Sequence, residues 1–282
     1  MKFKALAVTV AALAASSAFA APTFMVPGGQ QLDPFGGIDW ASNGTVFTRS
    51  FDQAAANSGR SFTFESTYFS YAVPITGIQR PDGTNFVVPN LVGGGSGAIS
   101  GQPFELTTVA TFQETGVCTN AGTNCDFRIT SGRFDIYLDQ SSNARVGAAA
   151  NLDNYRDGTR IIGGEVTSGT SNFTSTTDGR SGNGSFNVLG TVTDTNSAFI
   201  TPNLVGTSAT GTLQLGSAQT NYVEPGFCSS TGTGTGVRSC LAFQADANQR
   251  FEFGRVPEPG TLALLGAAMA GIGFTARRKA AR

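Results

Sequence analysis

Phe104-Glu105-Leu106-Thr107-Thr108-Val109-Ala110-Thr111-Phe112-Gln113 puts Phe104, Leu106, Ala110 and Phe112 on one parity and Glu105, Thr107, Thr111 and Gln113 on the other. Successive side chains of a strand point to opposite faces, so this alternation predicts a strand with one buried face. Thr108 and Val109 break it. The pattern returns where Phe134, Ile136 and Leu138 alternate with Arg133, Asp135, Tyr137 and Asp139. Shorter candidates lie at 46–51, 62–64, 186–192, 212–215, 241–245 and 251–253. Turn clusters such as Pro81-Asp82-Gly83, Gly93-Gly94-Gly95 and Ser181-Gly182-Asn183-Gly184 separate them. No helical period stands out between the termini. The fold expected is all-β: an antiparallel sandwich or jelly-roll-like body with Gly-rich loops.

The two ends are of different character. Lys2 and Lys4 open the chain, an apolar run follows, and Ala18-Phe19-Ala20 closes it. That order is a secretory signal with cleavage before Ala21, too short to span a bilayer. At the other end Pro257-Glu258-Pro259 precedes an apolar run over 261–276, then Arg277-Arg278-Lys279. Sixteen helical residues reach about 24 Å, against about 30 Å of hydrocarbon, so the run suits a transient anchor in the inner membrane. The basic cluster stays cytoplasmic, which puts the body outside. The two prolines hold the strip before the membrane extended, as a protease needs. Three segments follow: 1–20 as signal, 21–255 as β-rich body and 256–282 as sorting signal.

This tail resembles the PEP-CTERM sorting signal in its motif, apolar run and terminal Arg cluster. The resemblance covers about the last 27 residues. It implies recognition by an exosortase, cleavage near Pro257 to Pro259, and delivery to the surface or matrix of an exopolysaccharide-producing Gram-negative bacterium. Within that set, Phe104 to Phe112 followed by Asp135-Ile136-Tyr137-Leu138-Asp139 looks like the flocculation-associated members.

The 282 residues include 37 Gly and 22 Phe, with 40% hydrophobic and 13% charged residues, enough apolar material for a core. All three lysines lie in the terminal segments, leaving 12 Arg against 18 Asp and Glu over 21–256. A mildly acidic, lysine-free surface is a poor partner for phosphate backbones, so no nucleic acid is expected. With no His anywhere and no Lys in the body, triads, Cys–His pairs, zinc-protease motifs and P-loops are excluded. No catalytic residue, cofactor or metal is assigned.

Two carboxylates would suffice for a glycosidase, but Asp135 and Asp139 fall about 13 Å apart on one strand face, too far for such a pair. Asp153-Asn154-Tyr155-Arg156-Asp157-Gly158 lacks the acidic spacing of an EF-hand and reads as a polar loop. Four cysteines permit three connectivities. In an oxidising compartment Cys118–Cys125 and Cys228–Cys240 are expected to close their own loops. Among the aromatics, Tyr137 on the polar parity of its strand and Trp40 are candidate sugar-stacking residues. The function expected is an exported matrix protein in exopolysaccharide-associated adhesion, floc or biofilm formation. A carbohydrate-binding module and a carboxylate-dependent glycosidase are the alternatives.

Overall fold

Eight strands pair in the order in which they follow one another, and the last pairs with the first. In the computed structural model the described residues are 22–29, 31–32, 35–49, 51–72, 78–79, 85–86, 104–175, 182–216, 225–228 and 240–252. They form β1 (Thr23–Met25), β2 (Gln31–Leu32), β3 (Gly37–Arg49), α1 (Gln53–Asn57), β4 (Phe62–Tyr71), β5 (Ile78–Gln79) and β6 (Asn85–Phe86). β7 (Glu105–Thr119), β8 (Asn124–Asp139), β9 (Thr159–Ser175), β10 (Gly182–Thr195), β11 (Ile200–Thr201), β12 (Ser208–Gly216) and β13 (Leu241–Glu252) follow. The strands β3-β4-β7-β8-β9-β10-β12-β13 make a closed antiparallel barrel, sealed by β13 on β3 from Leu241 opposite Thr48 to Arg250 opposite Gly37.

The all-β expectation holds, but the sandwich and jelly-roll do not. All three architectures bury one parity of each strand, so alternation alone does not separate them. What decides is the pairing of β13 with β3, about two hundred residues apart, which removes both sheet edges. The candidate at 241–245 and the described part of the candidate at 251–253, residues 251 and 252, belong to one strand, and Gly182-Asn183-Gly184 opens β10 rather than forming a turn.

Trp40, Tyr68, Phe112, Phe134, Ile136, Val166, Phe186 and Leu213 fill the bore and are buried. Outward positions such as Arg128, Thr130, Thr167, Thr170, Asn172, Thr212 and Gln214 are exposed. A lipid-spanning barrel carries apolar side chains outward and a polar interior; this wall is the reverse. Glycines make room for rings in the bore: a Cβ on Gly164 would run into the Phe134 ring.

The two ends close differently. Phe24 on β1 packs on Phe35 with centroids 5.7 Å apart, and Phe35 on Phe251 at 5.5 Å, where β13 finishes. At the opposite end Asp52 caps α1 by accepting from the Ala55 amide at 2.8 Å. This sets buried Ala55 and Ala56 against Phe62, Phe64, Cys118 and Cys125.

A second core lies outside the barrel. Phe47, Phe69 and Val109 point outward, yet are buried by Ala144, Ala150, Tyr155 and the Cys228–Cys240 disulfide. This explains the break in alternation: Thr108 faces the bore, whereas Val109 faces the covered outer wall. Both expected disulfides are present, and Cys118 stands directly opposite Cys125 in the β7–β8 ladder.

Candidate functional site

The outer wall over β7 to β10 carries a polar groove. Arg133, Asp135 and Tyr137 alternate outward along β8, and Arg160 of β9 stands opposite Tyr137. Arg133 clasps Asp135 with Nε to Oδ2 at 2.9 Å and a terminal nitrogen to Oδ1 at 2.8 Å. Arg160 reaches the same Oδ1 at 3.2 Å and Asp194 of β10 at 2.5 Å. An alternating chain of charge, Arg133–Asp135–Arg160–Asp194, thus crosses three strands. Asp135 keeps only 11% of its side-chain surface, while Arg133 keeps 58%. Such exposed pairs add about 0–1 kcal/mol of stability each, so their use here is positional rather than energetic.

Thr111, Gln113, Ser131, Glu165 and Thr193 complete the groove's lining beside Arg133, Arg160 and Asp194. Asp135 raises the Arg133 guanidinium, which stays charged. Burial first, and Asp135 second, push the Tyr137 hydroxyl up, so the phenol is neutral and can donate. Hydroxyls, an amide and guanidinium forks in the lining, with the half-buried Tyr137 ring opposite Arg160 at its margin, suit a hydroxyl-rich ligand.

The other sequence candidates fall elsewhere. Trp40 is 2% exposed and belongs to the bore, so the surface stacking role expected for it is not available. It lines an internal cavity of about 50 Å³ with Tyr68, Phe112, Phe134, Val166 and Gln249. That volume holds water molecules and not a sugar ring. Asp135 and Asp139 stand opposite Val109 and Glu105, and both Asp135 oxygens are already taken by guanidinium groups. Asp153 and Tyr155 form the 3₁₀ turn Leu152–Tyr155, which Asn151 caps and which carries Tyr155 into the outer core.

Residues that sequence reasoning passed over are Arg160 and Asp194. Arg160 lies in β9, where no alternation marked a strand, and Asp194 lies just beyond the candidate at 186–192 in β10.

Among the described residues no helix is long and apolar enough to cross a membrane. Ala18, Ala20, Ala21, Pro257, Glu258, Pro259, Arg277, Arg278 and Lys279 lie outside the described residues. Residues 255–279 match the family model of the PEP-CTERM protein-sorting motif. No curated protein and no solved structure matches the chain. The matched tail is that of an exported protein processed by an exosortase.

Proposed function

We propose that this exosortase substrate is a non-enzymatic protein of the cell surface or extracellular matrix of a Gram-negative bacterium, whose barrel binds the cell's own exopolysaccharide. In that setting it contributes to adhesion, floc or biofilm formation, in the manner of the flocculation-associated members of the sorted set. The observation that carries the reading is the pairing of a sorting tail with the groove beside Tyr137 on a polar outer wall. Sugars offer hydroxyls as both donors and acceptors, with C–H faces that pack on aromatic rings. The Arg133–Asp135–Arg160–Asp194 chain meets the first need and Tyr137 the second. The terminal segments serve delivery: a signal removed before Ala21, transient inner-membrane anchoring by the run before Arg277, and cleavage near Pro257 to Pro259.

A carbohydrate-binding activity is therefore the molecular core of the proposal. A glycosidase reading gains nothing from Asp135, whose oxygens are committed to two guanidinium groups. The test is retention of the purified protein on the host's exopolysaccharide, beside a strain deleted for the gene. Retention with loosened aggregates and intact polysaccharide secretion supports the proposal. Unchanged flocculation together with no retention refutes it, and release of free sugar would mark an enzyme instead.

A further inference from the structure

Where β7 begins and β8 ends, Glu105 and Asp139 stand directly opposite each other on the outer face. Two like charges in facing positions repel, and both residues are buried, Glu105 at 0% exposure and Asp139 at 9%. The chain after β8 turns back over them. Glu105 Oε1 accepts the Asn143 amide at 2.8 Å and the Ala144 amide at 3.0 Å, and Asp139 Oδ1 accepts the Ser141 amide at 2.9 Å. The second oxygen of each carboxylate, Glu105 Oε2 and Asp139 Oδ2, is buried without a hydrogen-bond partner among the described residues. So are Ser142 Oγ and Asn143 Oδ1 in the same turn. The Asn143 amide nitrogen is spent on Asp157 Oδ2 at 2.7 Å, which fixes its oxygen as the remaining acceptor.

Every one of these four orphaned atoms is an oxygen. A buried acceptor left without a partner keeps its full desolvation cost, the more so when charged, so four of them where the turn meets the ends of β7 and β8 call for a shared partner. No three His, Cys, Asp or Glu side chains gather to hold a metal among the described residues. The set is instead two carboxylates completed by an amide and a hydroxyl oxygen. That is the donor chemistry of a hard divalent cation of the calcium class, and it lacks the nitrogen and sulfur ligands that zinc prefers.

We propose that Glu105, Asp139, Ser142 and Asn143 bind a calcium ion, which pins the 140–158 segment to the barrel wall. The proposal is independent of polysaccharide binding. The ion would neutralise the facing pair and fasten the turn that leads to Tyr155, whose ring covers Phe69.

The test is thermal unfolding of the purified full-length protein in EDTA, in about 10 mM Ca²⁺ and in about 10 mM Mg²⁺. Extracellular calcium modules have dissociation constants of about 0.1–1 mM. At that ten- to hundredfold excess the melting temperature should rise by about 3–10 °C in Ca²⁺, and much less in Mg²⁺. Asp139→Asn should abolish that rise while melting no lower than wild type in EDTA, because it relieves the repulsion without changing shape. Tyrosine-sensitised terbium luminescence should report binding in the wild type and lose it in the variant. Equal melting in EDTA and Ca²⁺, an equal rise in Mg²⁺, or a full rise in Asp139→Asn would each overturn the assignment.

Discussion

Tyr155 packs its ring edge-on against Phe69 at a centroid distance of 4.8 Å, on the outside of the barrel wall. Its hydroxyl donates to the Arg145 carbonyl at 2.8 Å, and its own carbonyl accepts from Thr107 Oγ1 at 3.0 Å. One residue thereby joins three levels of structure: the 3₁₀ turn that carries it, the strands β4 and β7 beneath it, and the loop start at Arg145. The wall under Tyr155 is consequently covered on both faces, and the loop over it behaves as part of the fold.

Removing the ring should therefore cost as much as a change in the bore. Tyr155→Ala is expected to destabilise the protein by about 3–5 kcal/mol, the range for emptying a buried aromatic site. Tyr155→Phe keeps the ring but gives up the hydroxyl's bond to the Arg145 carbonyl, at about 1 kcal/mol. Urea denaturation separates the two. Equal, small losses would mean that the loop peels away without consequence for the barrel.

A second prediction concerns a carboxyl inside the bore. Glu114 lies opposite Phe64 on β4 and Ile129 on β8. Burial raises its pKa from an ordinary 4.5 to about 7, and the Ser66 hydroxyl beside it lowers it only in part. A raised carboxyl takes up a proton on folding, so stability is fullest below pH 4.5, falls between about 4.5 and 7, and is flat above. Glu114→Gln removes the dependence. At pH 8 the variant should be about 1–3 kcal/mol more stable than wild type, and near pH 4.5 no more stable. Denaturation curves across that range decide it; parallel pH profiles for the two proteins would show that Glu114 is solvated.

How far the chain could be read depends on which face each strand shows to what. β7 and β8 declare themselves because Phe112, Phe134 and Ile136 meet the bore while Gln113 and Arg133 meet water. β9 is the longest strand and carries no such signal. Its bore side holds Gly164 and Gly169, which give way to Phe134 and Ile129 reaching across from β8. An inward glycine leaves nothing for a pattern of hydrophobicity to register, so no alternation marks the strand. Closure was hidden for another reason: β13 finds β3 by long-range pairing, and no local feature of either strand announces it. Tyr137 was legible from its parity, whereas Arg160 sits in the unmarked β9 and Asp194 lies beyond the 186–192 candidate of β10.

Gly164 offers a direct check on that account. Its missing side chain is occupied by the Phe134 ring, and a Cβ there would also lie 2.8 Å from the Thr191 carbonyl oxygen. Gly164→Ala should destabilise the barrel by about 1–3 kcal/mol through overpacking, despite the ordinary gain an alanine gives in a strand. Pairing it with Phe134→Leu should recover part of the loss. A neutral single variant, measured by thermal unfolding, would mean that the ring does not rest on β9.

The groove makes the last prediction, and it concerns function without stability. Tyr137 is half-buried on the outer face and stands opposite Arg160, which ties Asp135 to Asp194. Removing an aromatic anchor from a binding surface commonly costs about 1–2 kcal/mol, or roughly five- to thirtyfold in affinity. Tyr137→Ala should weaken retention on the exopolysaccharide by that factor. Arg160→Ala should do the same by removing a guanidinium from the lining and releasing Asp194, which then repels or re-orients at the ligand's edge, while Asp135 stays clasped by Arg133. Neither residue fills the bore, so both variants should unfold within about 1 kcal/mol of wild type. Thr212→Ala, exposed on β12 and outside the groove's lining, is the control and should bind normally. If all three variants bind alike, the sugar surface is not this groove, and the outer wall of β8 to β10 has no part in holding polysaccharide.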